Sequence, residues 1–264
     1  MKTSPPIGLF DSGVGGTSIF MEIRRLLPKE HIIYLADSKN APYGEKSKEE
    51  IIRLSIKNTE NLLARNCKLI VVACNTATTN AIHILRLKYR TPILGIEPAI
   101  KPAAINSKSK TIGILATKGT LSSELFAKTS GVFAKGIDVI EVVGNGLVEA
   151  IEHGEKDSPE TYALLEKLLN PMIQKGIDYL VLGCSHYPYL IPQIRSLLPN
   201  DVKIIDSGEA VARQTKSILK SLGLLAETQQ KIPEFYTNTD PKVLQSLLQL
   251  ADPQFKFKLS FADF

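Results

Sequence analysis

Lys68-Leu69-Ile70-Val71-Val72-Ala73-Cys74-Asn75-Thr76 and Asp178-Tyr179-Leu180-Val181-Leu182-Gly183-Cys184-Ser185-His186 are two versions of one pattern. Each is a short apolar run that stops at a thiol and continues in hydrogen-bonding residues. Unbroken apolar runs of this length read as strands buried on both faces, as in parallel sheets covered by helices. A thiol at the C-terminal end of such a strand, just before a helix, lies where open α/β sheets build their binding crevices. Two such thiols imply a site with two walls, each carrying one sulfur.

The alternation continues along the chain. Strands are predicted at 6–10, 31–36, 69–73, 92–96, 111–116, 137–143, 179–183 and 202–205, with amphipathic helical stretches such as 48–64, 159–175 and 209–222 between them. Strand, helix, strand in succession implies an α/β fold with a mainly parallel sheet. There is also a weak internal repeat. Ile7-Gly8-Leu9-Phe10-Asp11-Ser12-Gly13 is echoed by Ile112-Gly113-Ile114-Leu115-Ala116-Thr117-Lys118, so that Gly8 and Gly113 stand 105 positions apart, and Cys74 and Cys184 stand 110 apart. Two similar α/β halves facing each other would place one cysteine from each in a shared cleft. The polar stretch 106–110 reads as a turn near a domain boundary. From Ala226 onward the chain is more polar. Phe235-Tyr236-Thr237 and a helix over 241–250 are expected to fold back on the first half as an edge strand and helix.

A chain of 264 residues is long enough for two modest domains or one large one. Its 44% hydrophobic and 22% charged residues are ordinary for a soluble globular protein. No apolar run approaches the length of a membrane span. Met1-Lys2-Thr3-Ser4-Pro5-Pro6 leads into a strand without the apolar core of a leader, so the expected location is the cytoplasm. The net charge of +5 comes from scattered lysines, with no dense basic cluster and no aromatic interleaving, which argues against nucleic-acid binding as the main function. Three cysteines without a leader argue against a disulfide framework. The close pair Cys184 and His186 would need one or two more ligands to hold zinc, and no metal is expected.

The loop Asp11-Ser12-Gly13-Val14-Gly15-Gly16-Thr17 follows a strand and opens a helix. It is not a dinucleotide fingerprint, because Ser18 stands where the last glycine would be needed. Two readings remain: a tight turn needing backbone room, or a turn that presents Asp11 and Ser12 to the crevice with amides aimed at a small anion. Ala41-Pro42-Tyr43-Gly44 marks a rigid loop, either a plain turn or a cover over the cleft. Cys67, without polar company, reads as a small buried hydrophobe. Cys74 and Cys184 read as reactive-thiol candidates. Bringing a thiol from about 8.5 to about 7 takes roughly 2 kcal/mol, within reach of a helix N-terminus plus a polar neighbour. One cysteine with a histidine would suit acyl transfer. Two thiols on opposing walls suit a proton taken from one face of a carbon and returned to the other, inverting a stereocentre without a cofactor.

Asp11-Ser12-Gly13-Val14-Gly15-Gly16, Pro42-Tyr43-Gly44, Ala73-Cys74-Asn75-Thr76, Gly183-Cys184-Ser185-His186-Tyr187-Pro188 and Asp206-Ser207-Gly208 occur in this order. In these motifs the chain resembles the glutamate racemases of the aspartate/glutamate racemase superfamily, over nearly its whole length. The resemblance implies two similar three-layer α/β domains in pseudo-twofold relation, 1–97 with 208–264 and 98–207, and an active site between them. It implies cofactor-independent interconversion of L- and D-glutamate for peptidoglycan synthesis by a homodimer. Cys74 and Cys184 match the acid/base thiols, and Asp11 and His186 the groups that assist them. Ser12, Pro42, Tyr43, Gly44, Asn75, Thr76, Thr117 and Ser185 match the substrate-binding shell. Glu152 stands where the family often has a functional glutamate, with a solvated helix acid as the competing reading. Ser185 replaces the usual threonine; it keeps the hydroxyl and loses the methyl that restrains its rotamer. Val143-Gly144-Asn145-Gly146 departs from the common cysteine-proline and puts the geometry near Glu152 in question. Two further readings are a superfamily racemase acting on aspartate or another small acid, and a binding protein without chemistry. Asn75 and Ser185-His186-Tyr187 favour glutamate, and the intact cysteine pair argues against lost chemistry.

Overall fold

The computed structural model describes residues 4–228 and 231–264. Residues 1–3, part of the expected leaderless N-terminus, lie outside the described residues. The strands are β1 (Ile7–Asp11), β2 (Ile32–Ala36), β3 (Leu69–Val72), β4 (Ile93–Gly95), β5 (Thr111–Ala116), β6 (Asp138–Val143), β7 (Tyr179–Gly183), β8 (Lys203–Ile205), β9 (Glu234–Thr237) and β10 (Lys258–Phe261). The helices are α1 (Thr17–Leu26), α2 (Lys48–Ala64), α3 (Asn75–Lys88), α4 (Ile100–Asn106), α5 (Lys118–Leu121), α6 (Glu124–Phe133), α7 (Leu147–Glu152), α8 (Pro159–Gln174), α9 (Ile191–Leu197), α10 (Gly208–Ser221) and α11 (Lys242–Ala251).

Two parallel sheets form, ordered β10-β9-β2-β1-β3-β4 and β6-β5-β7-β8. The segment β2-β1-β3-β4 and the whole second sheet are the same construction. Gly8 pairs with Ile33 on β2 and Ile70 on β3. Gly113 pairs with Ile140 on β6 and Leu180 on β7. Cys74 is four residues past Ile70, and Cys184 is four past Leu180. The two thiols therefore leave equivalent points of two equivalent sheets, and the fold is the expected pair of α/β halves in pseudo-twofold relation. The two glycines share a role as well. A Cβ on Gly8 would stand 2.8 Å from Cys67 Sγ, and one on Gly113 would stand 2.7 Å from Met172 Sδ. Cys67 is thus the packed hydrophobe the sequence suggested, with burial pushing its thiol up to about 12.

Alternation along the strands sorts side chains onto two faces. Phe10, Leu35, Ile70 and Val72 pack with Ile51, Leu54 and Leu62 of α2 and Ala77, Ala81 and Leu85 of α3. Ile7, Leu9, Tyr34 and Val71 pack on the other face with Ile19, Phe20 and Ile23 of α1, Ala212 and Leu219 of α10, and Leu248 of α11. Ile112, Ile114 and Val181 meet Ala103 and Phe126 of α4 and α6. Leu115, Leu180 and Leu182 meet Leu165 and Leu169 of α8. Helix starts follow local chemistry. Ser47 accepts a hydrogen bond from Glu50 N with Glu49 and Glu50 in the first turn of α2, and Ser158 caps α8 ahead of Pro159.

Three expectations shift. The run at β6 is half-exposed because it forms a sheet edge, so its apolar residues are not covered on both sides. The C-terminal strand β9 does fold back on the first half, but it lies between β2 and β10, and β10 is the edge. The turn after α4 joins that helix to β5, with Asp178 accepting from Ser107 Oγ, Lys108 N and Ser109 N at 2.7, 2.5 and 3.0 Å. The chain leaves the first sheet earlier, between β4 and α4, and comes back between β8 and α10. There Ser207 Oγ donates to the carbonyl of Glu97, tying the two passages together. No helix among the described residues is long and apolar enough to cross a membrane.

Candidate active site

Asp11 ends β1, and the glycine loop turns back over it. Its carboxylate is fully buried and accepts from Gly16 N at 2.7 Å, from Ser12 Oγ at 3.5 Å and from Ser185 Oγ at 3.2 and 3.3 Å. Burial raises its pKa above the ordinary carboxylate value, against the lowering effect of His186. Cys74 caps α3: its Sγ accepts from Ala77 N at 3.5 Å and donates to Ser12 Oγ at 3.5 Å. The expected lowering of this thiol does not occur here. Burial, and next the charge of Asp11, push Cys74 upward and outweigh the helix N-terminus. Both effects favour the neutral thiol over the thiolate in this closed arrangement.

The opposite wall is built on β7. Cys184 lies 3.7 Å from His186 Nδ1, and His186 Nε2 lies 2.6 Å from Glu152 Oε1. Glu152 ends α7, and its Oε1 also accepts from Val14 N at 2.6 Å while Oε2 accepts from Ser38 Oγ at 2.7 Å. Glu152 is therefore not a solvated helix acid. Burial acts to raise its pKa, but the hydrogen bond and charge of His186, with the Ser38 and Val14 donors, bring it below the ordinary value. Burial disfavours the imidazolium of His186, but Cys184, Glu152 and Asp11 together hold its pKa well above the ordinary value. The unusual Gly144-Asn145-Gly146 turn does not displace Glu152. Tyr187 Oη donates to Gly144 O at 3.1 Å, and Gly146, at φ +84°, starts α7.

The cysteines are 4% and 6% exposed. Nearer the mouth, Pro42 and Gly44 face Thr117, Gly144 and Asn145 across a gap of about 20 Å³, room for about one water, which neither cysteine lines. The two walls interlock. A Cβ on Gly13 would stand 1.8 Å from Glu152 Oε1, one on Gly15 would stand 2.2 Å from His186 Nδ1, and one on Gly44 would stand 2.7 Å from Thr117 Cβ. Gly13, Gly15 and Gly44 of the first-half loops leave the space into which Glu152, His186 and Thr117 of the second half fit.

Residues 7–215 match the family model described as Asp/Glu/hydantoin racemase. The chain belongs to this family. It is 46% identical over 250 residues to the glutamate racemase of Ectopseudomonas mendocina, covering 94% of this chain and 95% of that one. Among solved structures, it is similar to the glutamate racemase isoform RacE1 of Bacillus anthracis, with a TM-score of 0.89, 31% identity, and 100% and 99% of the two chains covered. It is also similar to Escherichia coli glutamate racemase in complex with L-glutamate and the activator UDP-MurNAc-Ala, with a TM-score of 0.85, 32% identity and 97% of each chain covered.

The remaining candidates line the same cleft. Thr76, Thr117 and Thr120 share their hydroxyls across the cleft, with Thr76–Thr117 at 2.8 Å, Thr117–Thr120 at 3.0 Å and Thr76–Thr120 at 3.3 Å. Asn75 is 2% exposed, and neither its Oδ1 nor its Nδ2 has a hydrogen-bond partner. A buried amide of this kind calls for a partner, and Asn75 sits beside Cys74. Pro42, Tyr43 and Gly44 form the near wall, with Tyr43 buried and Gly44 against Thr117. Ser185 reaches Asp11 rather than standing alone, so its hydroxyl ties the two halves together without needing the threonine methyl. Sequence reasoning missed Ser38, Thr120 and the buried Asp37. Asp37 follows the apolar run of β2 as Asp11 follows the apolar run Ile7-Gly8-Leu9-Phe10 within β1, a signal present in Leu35-Ala36-Asp37-Ser38. Among the described residues, no group of three or more His, Cys, Asp or Glu side chains is arranged to hold a metal ion.

Proposed function

We propose that this chain interconverts L- and D-glutamate without a cofactor, with Cys74 and Cys184 as the two acid/base groups, and supplies D-glutamate for peptidoglycan from the cytoplasm. The observation that carries the reading is the equivalence of the two thiols, each four residues past the partner of a repeat glycine on facing sheets. In one direction a Cys184 thiolate takes the α-proton, breaking the Cα–H bond, and the Cys74 thiol delivers its proton to the opposite face. The reverse direction exchanges the roles. His186 is placed to exchange a proton with Cys184, and Asp11 serves Cys74 through Ser12. As charge spreads from Cα onto the α-carboxylate, positioned donors stabilise it. The unpartnered Asn75 amide, the Thr76 and Thr117 hydroxyls and Ser12 and Ser185 supply donors, while Pro42, Tyr43 and Gly44 line the substrate's outer end. Both thiols are covered in this arrangement, so the halves part to admit glutamate and close to exclude water.

We take the two halves as domains, 1–97 with 208–264 and 98–207, hinged where Ser207 meets Glu97. The homodimer implied by the resemblance belongs to the same proposal and is checked by sedimentation velocity. A circular dichroism time course tests the activity. Purified protein without added cofactor brings both enantiomers of glutamate to zero ellipticity, and Cys74→Ser or Cys184→Ser abolishes this. Turnover of aspartate with none of glutamate overturns the substrate, and near-wild-type turnover by either serine variant overturns the mechanism.

A further inference from the structure

Asp37 is fully buried, just past the end of β2, where its amide donates to Asp11 O at 3.1 Å. Four donors from three segments converge on its carboxylate. Oδ1 accepts from Asn40 Nδ2 at 2.8 Å and from Asn238 Nδ2 at 2.6 Å. Oδ2 accepts from Tyr43 Oη at 2.5 Å and from Asn58 Nδ2 at 3.3 Å. Two carboxylate oxygens offer about four acceptor sites, and all are used. Asn58 belongs to α2 and also donates to Tyr43 Oη at 3.0 Å. Asn238 follows β9, and its Oδ1 accepts from Lys39 N at 2.9 Å, so the C-terminal return grips the same loop at two points. No positive side chain is among these partners. The network has one evident product, the conformation of residues 38–44. That stretch carries Ser38, which closes on Glu152, and Pro42-Tyr43-Gly44, which packs against Thr117.

We propose that Asp37 is a positioning residue for substrate binding, acting through Tyr43 and Ser38, and that the C-terminal segment takes part in the site through Asn238. This rests on the racemase reading above. The carboxylate does not touch the reacting carbon. It fixes the wall against which the outer end of a dicarboxylic amino acid lies, and it keeps the Tyr43 hydroxyl turned inward.

The experiment compares wild type, Asp37→Asn, Asn238→Ala and Tyr43→Phe by steady-state kinetics in both directions, with calorimetric titration of D-glutamate. Loss of one hydrogen bond to a charged acceptor is expected to raise KM and the D-glutamate Kd at least about tenfold, while kcat falls by less than about threefold. A purely structural role would lower kcat with the fraction of folded protein and leave KM and Kd in place. That result in the soluble variants overturns the proposal. Should Asp37→Asn not fold, Tyr43→Phe, which removes one donor to Asp37, and Asn238→Ala, which removes one donor to Asp37 and the acceptor of Lys39 N, decide by the same criterion. A wild type that does not racemise glutamate defeats the functional reading instead. A wild type that does, with variants of unchanged KM, defeats this inference alone.

Discussion

Glu152→Gln changes one atom at the point where the two halves meet. The carboxylate takes Val14 N and His186 Nε2 on one oxygen and Ser38 Oγ on the other. The amide keeps its oxygen toward Val14 and His186, and the Ser38 hydroxyl can turn to accept from the new NH₂. Shape is retained and charge is lost. Charge-assisted bonds are about twice as strong as neutral ones, so the loss is about 1–2 kcal/mol, or roughly 5- to 30-fold in kcat/KM. The charge of Glu152 also helps to hold His186 above its ordinary value of 6.5, so the variant's His186 titrates at lower pH. The basic limb of kcat/KM against pH that reports His186 moves to lower pH. Stability follows the same groups. Glu152 is held below its ordinary 4.5, so its contribution is full above that value and disappears as pH falls through its depressed pKa. His186 is raised, so its contribution is full below 6.5 and is lost as pH rises through its elevated pKa. The melting-temperature gap between wild type and Glu152→Gln is therefore widest from pH 4.5 to 6.5 and narrows on both sides. Stopped assays across pH with matched thermal melts read both effects. A variant with unchanged kcat/KM and an unshifted profile would refute this reasoning.

Asp11 is raised by burial, so its ionisation costs stability as pH rises through its ordinary value. Asp11→Asn is expected to melt no lower than wild type at pH 7 while losing activity; a clear drop in melting temperature contradicts this. Gly44→Ala places a methyl 2.7 Å from Thr117 Cβ, an atom with no free rotation to yield, and separates the walls. Its kcat/KM should fall by up to about 100-fold with the thermal melt little changed. Lys68 Nζ holds Glu30, Ser4 Oγ and Leu224 O at 2.6, 2.7 and 2.7 Å in the interior. Lys68→Met strands the Glu30 charge and should cost about 3–5 kcal/mol in urea unfolding, whereas Lys68→Met with Glu30→Leu recovers most of it.

The strands and long helices were legible because their signals are local. Unbroken apolar runs gave eight strands within a residue or so of their observed ends, and the serine-capped stretch at α2 begins and ends as expected. The equivalent placing of Cys74 and Cys184 at two strand ends was legible because the fold repeats itself. Asp37 was not, because nothing in its neighbourhood announces that Asn58 and Asn238, 21 and 201 positions away, will meet on its oxygens. β10 was missed because Lys258-Leu259-Ser260-Phe261 is a mixed four-residue edge, ordered by its neighbour rather than by its own pattern. The direction of the Cys74 shift failed for a related reason. A helix N-terminus can be read from sequence, whereas complete burial beside a second acid is a property of the closed cleft.

The most direct test is deuterium incorporation during the first few per cent of conversion of L-glutamate in D₂O. With a separate proton source on each face, deuterium enters Cα of the D-glutamate formed, and the remaining L-glutamate stays protiated. Deuterium in the remaining L-glutamate from the start, at a rate matching product formation, would mean that one group serves both faces and would contradict the two-thiol mechanism.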